Sequence, residues 1–427
     1  MSATALLPEP LGFIGTCDLS GHFRGKGFPM ADLAGRMRSG FGLAPTNIMM
    51  SAFGPIHATP FGTTGELVLK PVAECGALVP MGIAGTDVTL FPADLVTQEG
   101  TPWVCCPRGF LTRGLAALEA AAGLRAYATF EQEFVHTGIA ERPGMPYRFD
   151  AFVEAGGFGG TLVAALRRAG LTPDSFLAEN GPSQFEVTIA PTIGARAADE
   201  AVIARELTRA VAAAQGHRAI HAPMLSPDGA TSGTHIHISL LDADGLAVMH
   251  DPARRLGLSH VGEAFVAGIV AHLPALVALT APSVVSYYRL RPGKWAPTQA
   301  DVGVFDRGRA IRLCASKADD PEAERRRYNM EFRVCDATAS PYLALGALIH
   351  AGADGIARGL SLDPAAPSPA LPASLGEALD LLEASDAVRR FLGAELVGAY
   401  AMLKRSEIAA LDGLTDQEIC DRYAAAY

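Results

Sequence analysis

The chain has 427 residues, with 35 Lys plus Arg against 45 Asp plus Glu, so its formal net charge is −10. That balance excludes a basic surface for nucleic acid or anionic membrane, and 49% hydrophobic against 19% charged residues excludes intrinsic disorder. The seven cysteines contain no C-x-x-C, which speaks against a disulfide framework or zinc site and predicts reduced thiols in a cytoplasmic protein.

The first residues, MSATALLPEPLGF, lack a basic segment and break their apolar run at Pro8, so no secretory leader is predicted. Residues 1–100 read as short strands and turns: a hairpin around Ser20-Gly21, then strands over 65–72 and 85–92. Gly100-Thr101-Pro102 marks a domain boundary. Residues 101–427 follow, starting with a helix over 111–124. Strands are expected near 125–135, 184–190, 234–240, 309–314 and 329–334. Helices are expected near 160–170, 196–216, 258–281 and 341–359. This irregular alternation points to an α+β fold rather than a βαβ wind. The apolar stretch from Ala264 to Val285 is long enough to raise a transmembrane question, but His272, Pro274 and Pro282 favour a buried helix. Arg325 to Arg327 read as a mobile, solvated loop, and Pro364 to Pro372 as a loop before the terminal helices.

The common enzyme motifs are missing. GHFRGKG (21–27) has the wrong spacing for a phosphate loop, and GGFGGT (156–161) lacks the third glycine of a dinucleotide fingerprint. H-E-x-x-H and G-x-S-x-G do not occur. Instead, four strands each present one polar face, because side chains alternate with period two. Thr129, Glu131 and Glu133 oppose Phe130 and Phe134; Gln184, Glu186 and Thr188 oppose Phe185, Val187 and Ile189, with Glu179 just upstream. His235, His237 and Ser239 oppose Ile236 and Ile238, while Glu331 and Arg333 oppose Met330, Phe332 and Val334. A polar face alone is ordinarily a solvated face. Five glutamates together with histidines instead suit two hard-cation sites, and with no thiolate near they favour Mg²⁺ or Mn²⁺ over Zn²⁺. Arg289, Arg291, Arg307, Arg309, Arg312 and Arg333 form a second set in an otherwise acidic chain. Arginine forks bind carboxylate and phosphate, so acids for metals beside arginines for oxyanions suggest phosphoryl transfer.

These residues resemble the glutamine synthetase superfamily. The matching stretches are DLSGHFRGK (18–26), FEQEF (130–134), ENGPSQFE (179–186), SGTHIHIS (232–239), SYYRLRPGKWAP (286–297), DRGRAIR (306–312) and EFRVCDATASPYLALGALIHAG (331–352). The resemblance implies a small N-terminal β-grasp domain (1–100) and a large catalytic domain (101–427) with an antiparallel sheet and surrounding helices. It also implies a homo-oligomer, a dodecamer of two stacked hexameric rings with active sites between neighbours. Glu133, Glu179 and Glu186 then match the ligands of a first metal, and Glu131, His235 and Glu331 those of a second. His237 and Ser239 match nucleotide contacts, Arg289 the residue gripping the substrate α-carboxylate, and Arg333 the one near its γ-carboxylate. Arg307 and Arg312 match arginines that meet the transferring phosphate and the nucleotide. The implied chemistry uses ATP to phosphorylate glutamate, after which an amine displaces phosphate.

The sequence departs from ammonia-using members of the superfamily in informative places. The position of their ammonium-binding glutamate, in RLxPGxEAP, is Trp295. The segment 50–62, which corresponds to another acidic element, holds no Asp or Glu. An indole offers an apolar and π surface suited to an organic amine. An ATP-dependent γ-glutamyl amine ligase is therefore expected, with ammonia-using glutamine synthetase and a non-catalytic relative as the alternatives. The usual NGSG reads ATSG (230–233), and the arginine two residues before the metal glutamate is Asn329.

Overall fold

The computed structural model describes residues 8–140, 144–315 and 320–427. Its first sheet comprises β1 (Leu11–Cys17), β2 (Phe23–Pro29), β3 (Phe41–Leu43), β4 (Leu67–Pro71), β5 (Ala77–Val79) and β6 (Val88–Val96). The strand order is β2-β1-β6-β4-β3, with β5 also on β6, and the central pair β1–β6 is parallel. The expected hairpin is β1–β2, whose outermost pair is Cys17 with Phe23. Its turn needs Gly21: φ is +83°, and a Cβ there would lie 2.7 Å from the Thr338 carbonyl oxygen.

The second sheet carries the polar faces. It comprises β7 (Arg125–His136), β8 (Pro173–Ala178), β9 (Gln184–Ile189), β10 (Thr192–Ile193), β11 (Ala219–Ile220), β12 (Thr234–Leu241), β13 (Val302–Val304), β14 (Ile311–Cys314) and β15 (Asn329–Phe332). The order is β13-β14-β15-β12-β7-β9-β8, with β10 and β11 also on β7. Pairing is antiparallel except at the edge, where β13 and β14 run parallel. Phe130, Phe134, Phe185, Ile236, Ile238, Met330 and Phe332 are buried on the apolar face, as the alternation requires. Helices Pro107–Ala122, Arg196–Ala214, His260–Thr280 and Pro341–Arg358 surround the sheets.

The helix His260–Thr280 is apolar enough, at mean hydropathy 1.8, to cross a membrane. Its packing explains that composition. A Cβ at Gly268 would meet the Ala351 carbonyl oxygen at 2.2 Å, and one at Gly355 would meet that of Ala264 at 2.2 Å, so glycines let the two helices touch backbone to backbone. One hydrophobic cluster spans Ile14 and Leu95 of the first sheet, Phe130 of the second, and Phe265 and Leu345 of these helices.

Two buried polar junctions hold the N-terminal sheet to the rest. Arg108 bonds bidentately to Asp199 (2.9 and 3.0 Å) and reaches Asp94 of β6 at 3.1 Å, while the Tyr342 hydroxyl donates to Asp199 at 2.7 Å. Lys404 and Glu407 form an ion pair at 2.8 Å with side chains 1% and 0% exposed. Glu407 also accepts hydrogen bonds from Ser20 Oγ (2.9 Å) and the Ala52 amide (2.7 Å).

One expectation is corrected. Arg325 to Arg327 end a short exposed helix, Pro321–Arg327, rather than lying in a loop. Asp320 caps it through the amides of Glu322 and Ala323, Pro321 occupies the first turn, and Glu322 pairs with Arg326 at 2.7 Å. Those are the ordinary reasons a short segment turns helical.

Candidate active site

Strand register lines up the polar faces. Arg312 sits opposite Glu331, Glu331 opposite His237, and His237 opposite Thr129. One pair further along β7, His235 faces Glu131, and Glu131 faces Thr188; beyond it, Glu133 faces Glu186. Cross-strand neighbours on one face stand about 5 Å apart, so the sheet itself brings these groups together.

They open into a cleft of about 830 Å³. Every site residue expected from sequence lines it except His237 and Ser239. His237 stands behind Glu131, with its Nε2 at 3.0 Å from Oε1 and its Nδ1 at 2.8 Å from Asn329 Oδ1. Ser239 is buried and donates to the Tyr328 carbonyl at 3.3 Å.

Two groups of ligand atoms each fall within 4.8 Å: Glu131, His235 and Glu331, and Glu133, Glu186 and His235. The first is the set expected for a second cation. In the other, His235 stands where Glu179 was expected, with Nε2 at 3.9 Å from Glu133 Oε1. Glu179 lines the same cleft and accepts from the Tyr147 hydroxyl at 3.0 Å. Burial pushes the Glu186 carboxyl up to about 9, and the charges of Glu131, Glu133 and Glu179 add to the shift. Burial also works against ionised Glu131, but hydrogen bonds from His235 and His237 hold it well below the usual carboxylate range. Converging carboxylates whose ionisation is opposed by their neighbours fit divalent cations.

The expectation of no nearby thiol is corrected. Cys314 Sγ lies 3.9 Å from Glu331 Oε2, because β14 pairs with β15 and sets Arg312 opposite Glu331 and Cys314 opposite Asn329, two residues along. The hard oxygen donors still outnumber it, so Mg²⁺ or Mn²⁺ remains the better match.

Arg289 is 2% exposed and donates through Nη1 to the Val334 carbonyl (2.9 Å) and through Nη2 to the Arg333 carbonyl (2.8 Å). Glu331 holds Arg312 at 2.7 Å and also bonds Arg333, whose Nε donates to the Arg307 carbonyl at 2.9 Å. Arg309 is instead paired with Asp301 and Asp306, and Arg291 lies over the Tyr288 ring. These two are the surface contacts that an unspecialised arginine makes. Trp295 is 83% exposed at the cleft, with φ at +54°, a conformation uncommon for a bulky residue.

Sequence reading missed Tyr147, Asn180, Asp228 and Lys294, which also line the cleft. They sit in loops between strands, where no periodicity marks them. Gln184 was placed on the polar face but not in the site. Its Nε2 lies within bonding distance of Glu133 Oε2 (3.1 Å) and the Thr231 carbonyl (2.8 Å), and its Oε1 accepts from the Gly181 amide (2.6 Å).

The Glu186 shift makes a measurable prediction. Its folded-state value is raised above the ordinary 4.5, so its contribution to stability is complete below about pH 4.5 and is lost as pH rises through about 9. A cation must displace that proton. Added Mn²⁺ should therefore raise the thermal midpoint more at about pH 8.5 than at about pH 6. An equal rise at both would remove Glu186 from the cation site.

Residues 104–423 match the family described as "Glutamine synthetase, catalytic domain". The chain is 33% identical, over 100% of its length and 96% of the relative's, to a protein named gamma-glutamylpolyamine synthetase GlnA3 from Streptomyces coelicolor. It is 31% identical, over 77% of its length and 78% of the relative's, to a protein named glutamine synthetase from Thermotoga maritima. A crystal structure described as a novel glutamine synthase homolog superposes with a TM-score of 0.94 at 40% identity, covering 100% of both chains. With its two sheets, its acid–imidazole ladder and a family match over most of its length, the chain belongs to the glutamine synthetase family.

Proposed function

We propose that the chain is an ATP-dependent ligase that joins the γ-carboxyl group of glutamate to a primary organic amine through γ-glutamyl phosphate. The observation that carries this reading is a single cleft holding two acid–imidazole groups and Arg289, Arg307, Arg312 and Arg333, with Trp295 in place of an ammonium-binding carboxylate. The name of the Streptomyces relative agrees with it.

Glu133, Glu179 and Glu186 would hold one Mg²⁺ or Mn²⁺, and Glu131, His235 and Glu331 another. Bound there, divalent cations neutralise phosphate charge and polarise the transferring group. Arg289, fixed by two carbonyls, presents its guanidinium to the α-carboxylate, and Arg333 lies beside the γ-carboxylate. A γ-carboxylate oxygen attacks the γ-phosphorus of ATP and ADP leaves, with Arg307 and Arg312 offsetting the charge. His237 would act on the nucleotide through Glu131, which it holds at 3.0 Å, and Ser239 through the Tyr328 carbonyl it bonds, since both lie outside the cleft. The amine nitrogen then attacks the acyl carbon, the C–O bond to phosphate breaks, and the nitrogen's proton passes to a cleft carboxylate or to water. Carboxylate itself is a poor acyl donor; phosphorylation supplies the leaving group.

Phosphate release from ATP, glutamate and a panel of amines including ammonium tests the reading. A primary organic amine should exceed ammonium in kcat/KM by at least about tenfold, and Trp295→Glu should reduce that preference. Robust glutamine synthesis with no activity on organic amines would favour the ammonia-using alternative, and no ATP-dependent chemistry at all would favour the non-catalytic one.

Gly233 supplies a second test of the site. A Cβ there would lie 2.8 Å from Arg289 Nη2 and 2.9 Å from His235 Nε2. Arg289 is held by its carbonyl bonds and cannot yield cheaply. Gly233→Ala should lower kcat/KM for glutamate by about a hundredfold, since small displacements of positioning groups are costly. A wild-type value would place Arg289 away from glutamate.

The assembly proposed is a homo-oligomer, a dodecamer of two hexameric rings, built from a β-grasp unit (1–100) and a catalytic unit (101–427). Exposed aromatics outside the cleft support it: Phe149 is 79% and Phe152 45% exposed, their rings stacked at 6.4 Å in one apolar patch. Segment 50–62 does not line its own cleft, in keeping with service to a neighbour. Solution scattering should show a ring-shaped particle, and an active monomer would contradict it. The seven free cysteines support a cytoplasmic location.

A further inference from the structure

We infer that Asp228 is a specificity residue for a second, distal cationic group on the amine, so that the preferred substrates are diamines or polyamines rather than monoamines. This rests on the amine-ligase reading above and extends it to a group that lies outside the acid–imidazole ladder.

The loop 226–231 and the loop 293–295 meet at the cleft. Lys294 Nζ donates to the Gly229 carbonyl at 3.0 Å, and Thr231 Oγ1 donates to the Lys294 carbonyl at 3.4 Å. Those two bonds bring the immediate neighbours, Asp228 and Trp295, to the same mouth, and both line the cleft. Asp228 is exposed, and among the described residues no cation pairs with its carboxylate. The nearby positive group, the Lys294 ammonium, is tethered to a backbone carbonyl instead. The other carboxylates of the cleft all have assigned work: Glu131, Glu133, Glu186 and Glu331 gather around His235 in the two ligand groups, and Glu179 accepts from the Tyr147 hydroxyl. Asp228 alone is left over at the entrance.

An alkyl ammonium needs two things there: an anion, and a surface for its methylenes. The Trp295 indole offers a π face for cations and an apolar plane for the chain. A chain lying on the indole has one end inside, near the reacting carboxyl, and the other beside Asp228. A monoamine uses only the plane. Ammonium uses neither.

The test compares 1,4-diaminobutane with n-butylamine, which has the same carbon count and lacks the distal charge, in amine-dependent phosphate release by the full chain. Wild type should favour the diamine in kcat/KM, chiefly through KM, and the advantage should shrink as salt is raised. Asp228→Asn should cut the diamine-to-monoamine ratio about fivefold to tenfold, the scale of an exposed charge contact with cation–π support, and Asp228→Glu should restore much of it. A ratio equal in wild type and Asp228→Asn, with both amines turned over, overturns the Asp228 assignment and leaves the ligase reading intact. Wild type that turns over neither amine but another of the panel overturns the diamine preference, and no phosphate release with any organic amine overturns the ligase reading itself. Unchanged thermal midpoints in both variants confirm that the ratio reports recognition, not folding.

Discussion

Alanine at Glu133 or at Glu331 should each reduce ATP-dependent amide formation by about a thousandfold or more, the scale expected when charge stabilisation at the transferring group is lost. The two variants should nonetheless differ in stability. Glu133 faces Glu186 across the β7–β9 pair and accepts hydrogen bonds from the Gly233 amide (2.7 Å) and Gln184 Nε2 (3.1 Å), so relief of crowded acidic charge offsets the lost bonds and Glu133→Ala should melt close to wild type in the absence of metal. Glu331 is 1% exposed and holds both Arg312 and Arg333. Its loss leaves two partly buried guanidinium groups without their anion, so Glu331→Ala should melt lower. Turnover, metal stoichiometry and thermal melting, measured on the same preparations, separate the two effects. Near-normal turnover in either variant with full metal occupancy would remove that residue from the cation sites.

Lys404→Met should be the most destabilising of the single substitutions considered, by about 3–5 kcal/mol, because it strands the Glu407 carboxylate in the core. Glu407 is 0% exposed and keeps only its hydrogen bonds from Ser20 and the Ala52 amide. Lys404→Met combined with Glu407→Leu should recover much of the loss, since a buried pair replaced by apolar groups is often close to neutral. The double variant removes the anchor of Ala52, so segment 50–62 should become more protease-sensitive even where stability returns. Denaturant midpoints and limited proteolysis read the two effects separately. A double variant no more stable than Lys404→Met would show that the pair's charge is not what matters at this junction.

The polar faces were legible in the sequence because alternation survives in strands: Glu131 and Glu133, His235 and His237, Glu331 and Arg333 all lie on the faces their parity assigns. The long helices were legible for a similar reason, with ends displaced by a few residues where caps such as Ser259 and Gly123 act. The grouping of ligands was harder to read. Parity says which face a glutamate occupies but not how far it is from a histidine two strands away, so His235 was expected with only one set and stands between both. Cys314 was missed because β14 is four residues long and shows too little alternation to place it. Tyr147, Asp228 and Lys294 come from loops, whose geometry is fixed by individual contacts such as Lys294 to Gly229 and leaves no period to read.

The cross-strand ladder has a consequence for how such a protein can diverge. A deletion of one residue within β12 would turn His235 and His237 into the core and expose Ile236 and Ile238, destroying fold and chemistry together. Lineages can therefore substitute along these strands but not shorten or lengthen them. The loops at 226–231 and 293–295 carry no such penalty. Duplicated copies are thus free to trade one nitrogen nucleophile for another by changing a few loop positions, while the phosphorylating half of the site is inherited unaltered.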